Sequence, residues 1–194
     1  MNGGIILLTN FNTYTKTMKD IIILVALEEE LPKDSLKDFQ IEYTGVGKVN
    51  ACFIATEIIN KFSPKLIINY GTAGSLKKTL SGLCEVTNFF QRDMDASGLG
   101  FKTGETPFDK FSNISFGEGG LSIGTGDSFV TQSPKIITDL VDMEAYAIAK
   151  VCLLKKINFL CFKYISDNAD KNASNNWENN ISKGKTEFQK KIRE

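Results

Sequence analysis

The sequence contains no histidine, and that absence removes several chemistries at once. Ser-His-Asp and Cys-His catalysis are excluded, as is any zinc site built on imidazole. Acid–base work must fall to carboxylates, lysine, tyrosine or cysteine. CxxC spacing is also missing. Cys52, Cys84, Cys152 and Cys161 stand apart in apolar or strand-like runs, so they read as buried free thiols and not as a disulfide or metal framework.

An excess of one charge is lacking too. Lys+Arg and Asp+Glu both total 23, so nothing draws the chain to nucleic acid or to an anionic membrane surface. That balance suits a neutral or zwitterionic substrate. No apolar run approaches the roughly 18–20 residues of a membrane span. Ile5-Ile6-Leu7-Leu8 lacks the basic lead and the small-residue cleavage site of a signal peptide. The expectation is an irregular extension over residues 1–18, with Met18 as an alternative start, and a cytoplasmic location. At 194 residues and 42% hydrophobic content, residues 19–194 suffice for one domain with its own core.

What is present alternates between strand and helix. Ile21-Ile22-Ile23-Leu24-Val25 is a β-branched run of the kind buried on both faces. Residues 41–44 read as a short strand, 66–70 as a buried strand, 85–90 as a further strand and 159–165 as a last central strand. Residues 49–62 carry apolar groups at helical spacing (Val49, Cys52, Phe53, Ala55, Thr56, Ile59) before Ser63-Pro64 stops the helix. A second helix is expected over 141–155, with Met143, Ala147, Ile148 and Val151 on one face, and a terminal amphipathic helix over 181–193. Residues 91–126 hold eight glycines and little periodicity, which reads as loops and short strands. The pattern predicts a single-domain three-layer α/β/α sandwich around a mixed, largely parallel sheet.

Polar residues gather at four strand ends: Glu28-Glu29-Glu30, Gly45-Val46-Gly47, Gly71-Thr72-Ala73-Gly74 and Ser166-Asp167. Parallel strands bring such ends to one edge, where open α/β sheets place their sites. Each signal taken singly has a plainer reading. The glycines serve tight turns, the glutamates a solvated first helical turn, Glu144 a helix N-terminal charge, and Asp167 a turn cap.

The order of the blocks adds what spacing cannot. Val25-Ala26-Leu27-Glu28-Glu29-Glu30, Gly45-Val46-Gly47-Lys48-Val49, Asn69-Tyr70-Gly71-Thr72-Ala73-Gly74, Gly124-Thr125-Gly126-Asp127-Ser128-Phe129, Val141-Asp142-Met143-Glu144-Ala145 and Ile165-Ser166-Asp167-Asn168-Ala169-Asp170 follow one another along the chain. In this order they resemble the nucleoside phosphorylase superfamily, and within it the 5′-methylthioadenosine/S-adenosylhomocysteine nucleosidases. The resemblance implies hydrolysis of the N-glycosidic bond of an adenine nucleoside. It implies Asp167 as the acid that protonates the purine, held by Ser166, and Glu30 as the group that activates water. Glu144 and Met143 would hold the ribose, with Thr72 and Val46 against it and Ala26 completing the substrate set. Phe129 would stack on the purine, Val130 with Cys161 or Phe162 would offer backbone groups to its edge, and Trp177 would cover the 5′ substituent.

No metal or organic cofactor is implied. A homodimer is, in which the partner completes the 5′ pocket near Ala96, Leu99 and Pro107. Phosphorylases of the superfamily carry an arginine two residues before the Gly-Thr-Ala-Gly block. Asn69 stands there, and the only arginines are Arg92 and Arg193. With no arginine expected near the site, water is favoured over phosphate, Lys48 being the remaining candidate cation. Only fourteen residues separate Glu30 from Gly45, so a peripheral hairpin of the family is missing. The alternatives left open are a phosphorylase, a hydrolase of futalosine, adenosine, 5′-deoxyadenosine or AMP, and a non-catalytic nucleoside-binding protein.

Overall fold

The computed structural model describes residues 20–194, so the extension expected over residues 1–18 lies outside the described residues. In chain order the elements are β1 (Ile21–Val25), β2 (Gln40–Tyr43), α1 (Lys48–Phe62), β3 (Leu66–Ser75), β4 (Leu83–Gln91), β5 (Asn113–Ser115), β6 (Leu121–Thr125), β7 (Leu140–Asp142), α2 (Ala145–Lys155), β8 (Asn158–Asp167), α3 (Ala173–Asn180) and α4 (Lys185–Lys191). β1 is apolar without alternation because each of its faces meets a core. Ile22 and Leu24 pack with Ala51, Ala55 and Ile59 of α1 and Ala149 and Cys152 of α2. Ile21, Ile23 and Val25 pack on the other side with Leu36, Phe188 and Ile192. The expected layers follow from these two cores.

Five of the eight strand pairings are parallel, which is the mixed, largely parallel sheet expected. Its path has a consequence for the site. β3 pairs β1 along Leu66 to Asn69, then leaves it and takes up β7 at Gly74 and Ser75. β8 pairs β3 and β4, β4 pairs β6, and β6 pairs β7. Five strands therefore close into a ring. Between β1 and β7 one edge of β3 has no strand partner over residues 70–73, and a sheet that splits in this way leaves a crevice with free backbone groups.

Several expectations are corrected. β3 does not stop at Tyr70 but runs through Gly71-Thr72-Ala73-Gly74, so these glycines do not make a turn. A Cβ on Gly71 would lie 3.2 Å from Glu30 Oε1, and one on Gly74 would lie 2.8 Å from Asp167 Oδ1. They are gaps through which carboxylates pass. α2 starts at Ala145, because residues 140–142 pair as β7 and Asp142 Oδ2 accepts the Ala145 N–H at 2.8 Å. Met143 is therefore on a turn and not on a helix face. α1 forms as expected but buries Ala51, Ala55 and Ile59, whose small side chains let the helix lie close. Val49 and Phe53 are 78% and 63% exposed. Cys52 is exposed on the same helix, contrary to the buried reading.

Of the terminal helix expected over residues 181–193, α4 forms over Lys185–Lys191, after a turn that ends at Gly184, where a Cβ would stand 2.3 Å from the Tyr164 ring; the Asn-rich stretch before that turn forms α3. α4 docks with Phe188 stacked on Tyr70 at a ring separation of 4.2 Å. Among the described residues no helix is long and apolar enough to cross a membrane. Phe188 is fully buried, so Phe188→Ala is expected to cost about 3–5 kcal/mol, measured as a fall in the denaturation midpoint with an unchanged denaturant slope.

Candidate active site

The crevice between β1 and β7 opens into a cleft of about 310 Å³, within the size range of small-molecule sites. Eleven of the residues singled out from the sequence line it: Ala26, Glu30, Val46, Thr72, Phe129, Val130, Met143, Glu144, Ser166, Asp167 and Trp177. They come from the turn after β1, the loop between β2 and α1, the ends of β3 and β8, the turn between β7 and α2, the loop after β6, and α3. Cys161 and Phe162 do not line it. They lie within β8, buried in the two cores, because the strand end that reaches the cleft is two turns of the pleat further on. Ala96, Leu99 and Pro107 do not line the cleft either, and Leu99 is 74% exposed.

Three carboxylates are held in the cleft, each by a backbone N–H. The unpaired edge of β3 supplies Thr72 N, which donates to Glu30 Oε1 at 2.6 Å, and the Thr72 hydroxyl donates to the same oxygen at 2.7 Å. Gly47 N donates to Glu144 Oε1 at 2.9 Å. Gly47 adopts φ 95°, a left-handed conformation that a side chain would resist. Ala169 N donates to Asp167 Oδ1 at 2.8 Å, while the Ser166 hydroxyl donates to Oδ2 at 2.7 Å. Ser166 has a second acceptor in Ala73 O at 3.3 Å, so its proton has somewhere to turn when Oδ2 is itself protonated.

The triplet divides as expected: Glu28 and Glu29 are exposed while Glu30 is buried. Burial raises the pKa of all three carboxyl groups. For Glu144 the neighbouring charge of Asp142 adds to burial, and the group is pushed up to about 7. The opposing influence is Lys163, which the sequence reading passed over. It is 1% exposed, its Nζ lies 2.9 Å from Asp142 Oδ2, and its charge favours ionised Glu30 and Glu144. Burial works against the ammonium, but the charge and hydrogen bond of Asp142, joined by the charges of Cys161 and Glu144, together offset it and leave its pKa raised. A lone lysine inside the apolar run Phe159-Leu160-Cys161-Phe162-Lys163-Tyr164-Ile165 was the signal for it.

Arg92 also lines the cleft, against the expectation that no arginine approaches it. Four of its five N–H groups are already committed: Nε to Gly124 O at 3.2 Å, Nη2 to Gly126 O at 3.0 Å and to Ser128 O, and Nη1 to Ser128 Oγ at 3.1 Å. It shapes the loop that presents Phe129. Lys48 is similarly engaged, with Nζ 2.5 Å from Asp93 and 3.6 Å from Asp127. Asn69 turns away, donating to Leu24 O at 3.0 Å. Trp177 stands over the cleft with its ring edge-on to Phe129 at 6.5 Å.

Comparison with known proteins agrees with this arrangement. The family model described as "Phosphorylase superfamily" matches residues 37–116 and 123–194. The 5′-methylthioadenosine/S-adenosylhomocysteine nucleosidase of Staphylococcus haemolyticus is 33% identical, over 73% of this chain and 74% of its own length. That of Buchnera aphidicola subsp. Schizaphis graminum is also 33% identical, over 89% of this chain and 77% of its own. The same fold is seen in the nucleosidase of Helicobacter pylori crystallised with butyl-thio-DADMe-Immucillin-A, with a TM-score of 0.77 at 24% identity over 89% of this chain and 96% of that one. A futalosine hydrolase mutant from Helicobacter pylori gives a TM-score of 0.78 at 22% identity over 89% of this chain and 96% of that one. The matched regions, the shared fold and the three carboxylates around one cleft together place this chain in the phosphorylase superfamily and, within it, among the 5′-methylthioadenosine/S-adenosylhomocysteine nucleosidases, which are N-glycosyl hydrolases.

Proposed function

We propose that the chain hydrolyses the N-glycosidic bond of an adenine nucleoside, 5′-methylthioadenosine or S-adenosylhomocysteine, with Asp167, Glu30 and Glu144 as its catalytic residues. The observation that carries this reading is the meeting of three buried carboxylates in one cleft whose cations are all engaged elsewhere. Glycoside cleavage develops positive charge on the sugar, which carboxylates in a water-poor site stabilise. Adenine leaves well only when protonated, and an acid with a raised pKa supplies that proton. Asp167 gives its proton to the departing base as the C–N bond breaks. Glu30 takes a proton from the water that adds to the sugar carbon. Glu144 grips the ribose beside Met143, Thr72 and Val46, and Phe129 stacks on the purine next to Val130.

Water is favoured over phosphate by the state of the cations. Arg92 and Lys48 already serve protein acceptors, and Lys163, behind the wall, is paired with Asp142. A homodimer completes the proposal: Val49 and Phe53 lie one turn apart on α1 and are largely exposed, an apolar surface that a second copy would cover.

Asp167→Asn is expected to lower kcat by about 10²- to 10⁴-fold, the contribution of a general acid, with the near-UV circular dichroism unchanged. Wild-type activity in that variant would remove Asp167 from its role. Release of adenine should proceed at the same rate with and without phosphate, read by chromatography of the free base; strict phosphate dependence would show a phosphorylase instead.

The raised pKa of Glu144 has a stability consequence. The folded state holds this proton more tightly than the unfolded chain does. Its contribution is therefore favourable below the ordinary carboxylate range and is lost as pH rises towards about 7. Glu144→Gln should raise the thermal midpoint at pH 8 but not at pH 4, while abolishing turnover at both. An equal change at the two pH values would contradict the shift.

A further inference from the structure

We infer that Trp177 is a positioning residue whose indole N–H, acting through the Thr72 hydroxyl, fixes the hydrogen bonding of Glu30, so that closure of α3 over the cleft and readiness of the base are one event. The inference rests on the reading of Glu30 as the group that activates water. Trp177 Nε1 donates to Thr72 Oγ1 at 3.0 Å, and Thr72 Oγ1 lies 2.7 Å from Glu30 Oε1. An indole N–H can only donate, and a hydroxyl has one proton. With the indole on its acceptor side, the hydroxyl proton is directed to Glu30.

The result is an asymmetric carboxylate. Oε1 receives two short bonds, from Thr72 N and Thr72 Oγ1, while Oε2 receives a single longer one from Leu27 N at 3.2 Å. Oε2 is left as the oxygen with capacity to take a proton from water. The donors at Oε1 favour the ionised form, against the burial that disfavours it. The other groups that act on Glu30 are Lys163 from β8, Tyr70 from β3 and Glu144 ahead of α2, and none of them is bonded to Trp177.

The relay also reports on the lid. Trp177 belongs to α3, which is fastened to the acid strand by Asn180 Nδ2 donating to Ser166 O at 2.7 Å and by the buried Ala173. When α3 lifts, the indole leaves Thr72, the hydroxyl is free to rotate, and Glu30 loses a directed donor. A phenylalanine here would keep a smaller aromatic cover over the substrate, but would leave the hydroxyl unpolarised. Of the features that phenylalanine lacks, only the N–H bears on Thr72.

The test uses Trp177→Phe in the full chain. The expected result is a fall in kcat of about 2- to 10-fold, the weight of one hydrogen bond, with little change in KM. The acidic limb of the kcat profile should move to higher pH, since a carboxylate that loses a donor protonates more readily. A rise in KM alone, or an unmoved acidic limb, would reduce Trp177 to a cover over the substrate and overturn the relay.

A second readout needs no turnover. Trp177 is the only tryptophan, so its fluorescence in the unliganded protein should titrate with Glu30. That titration should vanish in Glu30→Gln and in Thr72→Val, and persist in Thr72→Ser. Persistence in Thr72→Val would overturn the proposal. Should the wild-type chain cleave no nucleoside, the proposed hydrolysis fails, whereas the fluorescence series still decides the relay.

Discussion

Lys163 and Asp142 meet at 2.9 Å where neither side chain reaches water, and the rest of the site is arranged around that pair. Burying one carboxylate is costly; burying Glu30, Glu144, Asp142 and Asp167 within one cleft would be prohibitive without a compensating positive charge. The ammonium supplies it from behind, on the core side of β8, where it neutralises Asp142 directly and acts on Glu30 and Glu144 through space. Because it stands behind the wall and not in the cleft, the space in front remains available to a substrate that itself becomes cationic. The polarity of the pocket is thus set by a residue that does not line it.

This arrangement opposes stability, and the opposition is visible in individual groups. Glu144 sits beside Asp142 with its carboxyl pushed up to about 7, a position no fold would choose for its own sake. Natural sites concentrate strain of this kind where chemistry needs it. Here the cost is offset by the two apolar cores on either face of the sheet, and by backbone N–H groups that bond each carboxylate, Glu30 at both of its oxygens. Gly71 and Gly74 complete the accommodation by leaving out the side chains that would collide with Glu30 and Asp167.

Much of this could be read in the sequence, and the part that could not has a common cause. β1, α1 and β8 were legible because local pattern decides them: a β-branched run, a helical period, an apolar strand. The eleven cleft residues were legible only through the order of their blocks, since a glutamate triplet or a Ser-Asp pair has a plainer local meaning. Lys163, Arg92 and Asp142 escaped because their partners are distant in sequence. Asp142 lies in a strand of three residues whose identity depends on pairing with β3 and β6, which no local period announces. The apolar face of α1 was misjudged for the same reason. Packing selected the small residues Ala51 and Ala55, while the bulkier Val49 and Phe53 were left outside.

The ring of β3, β8, β4, β6 and β7 has a mechanical meaning beyond its geometry. A strand within a closed circuit of ladders is tied to its neighbours at both ends of the path, and the ends that carry Thr72, Asp142 and Asp167 all belong to that circuit. The loop bearing Phe129, and α3 with Trp177, lie outside the circuit, so the proposed acid stands on paired strands while the aromatics that cover it are borne by a loop and a short helix.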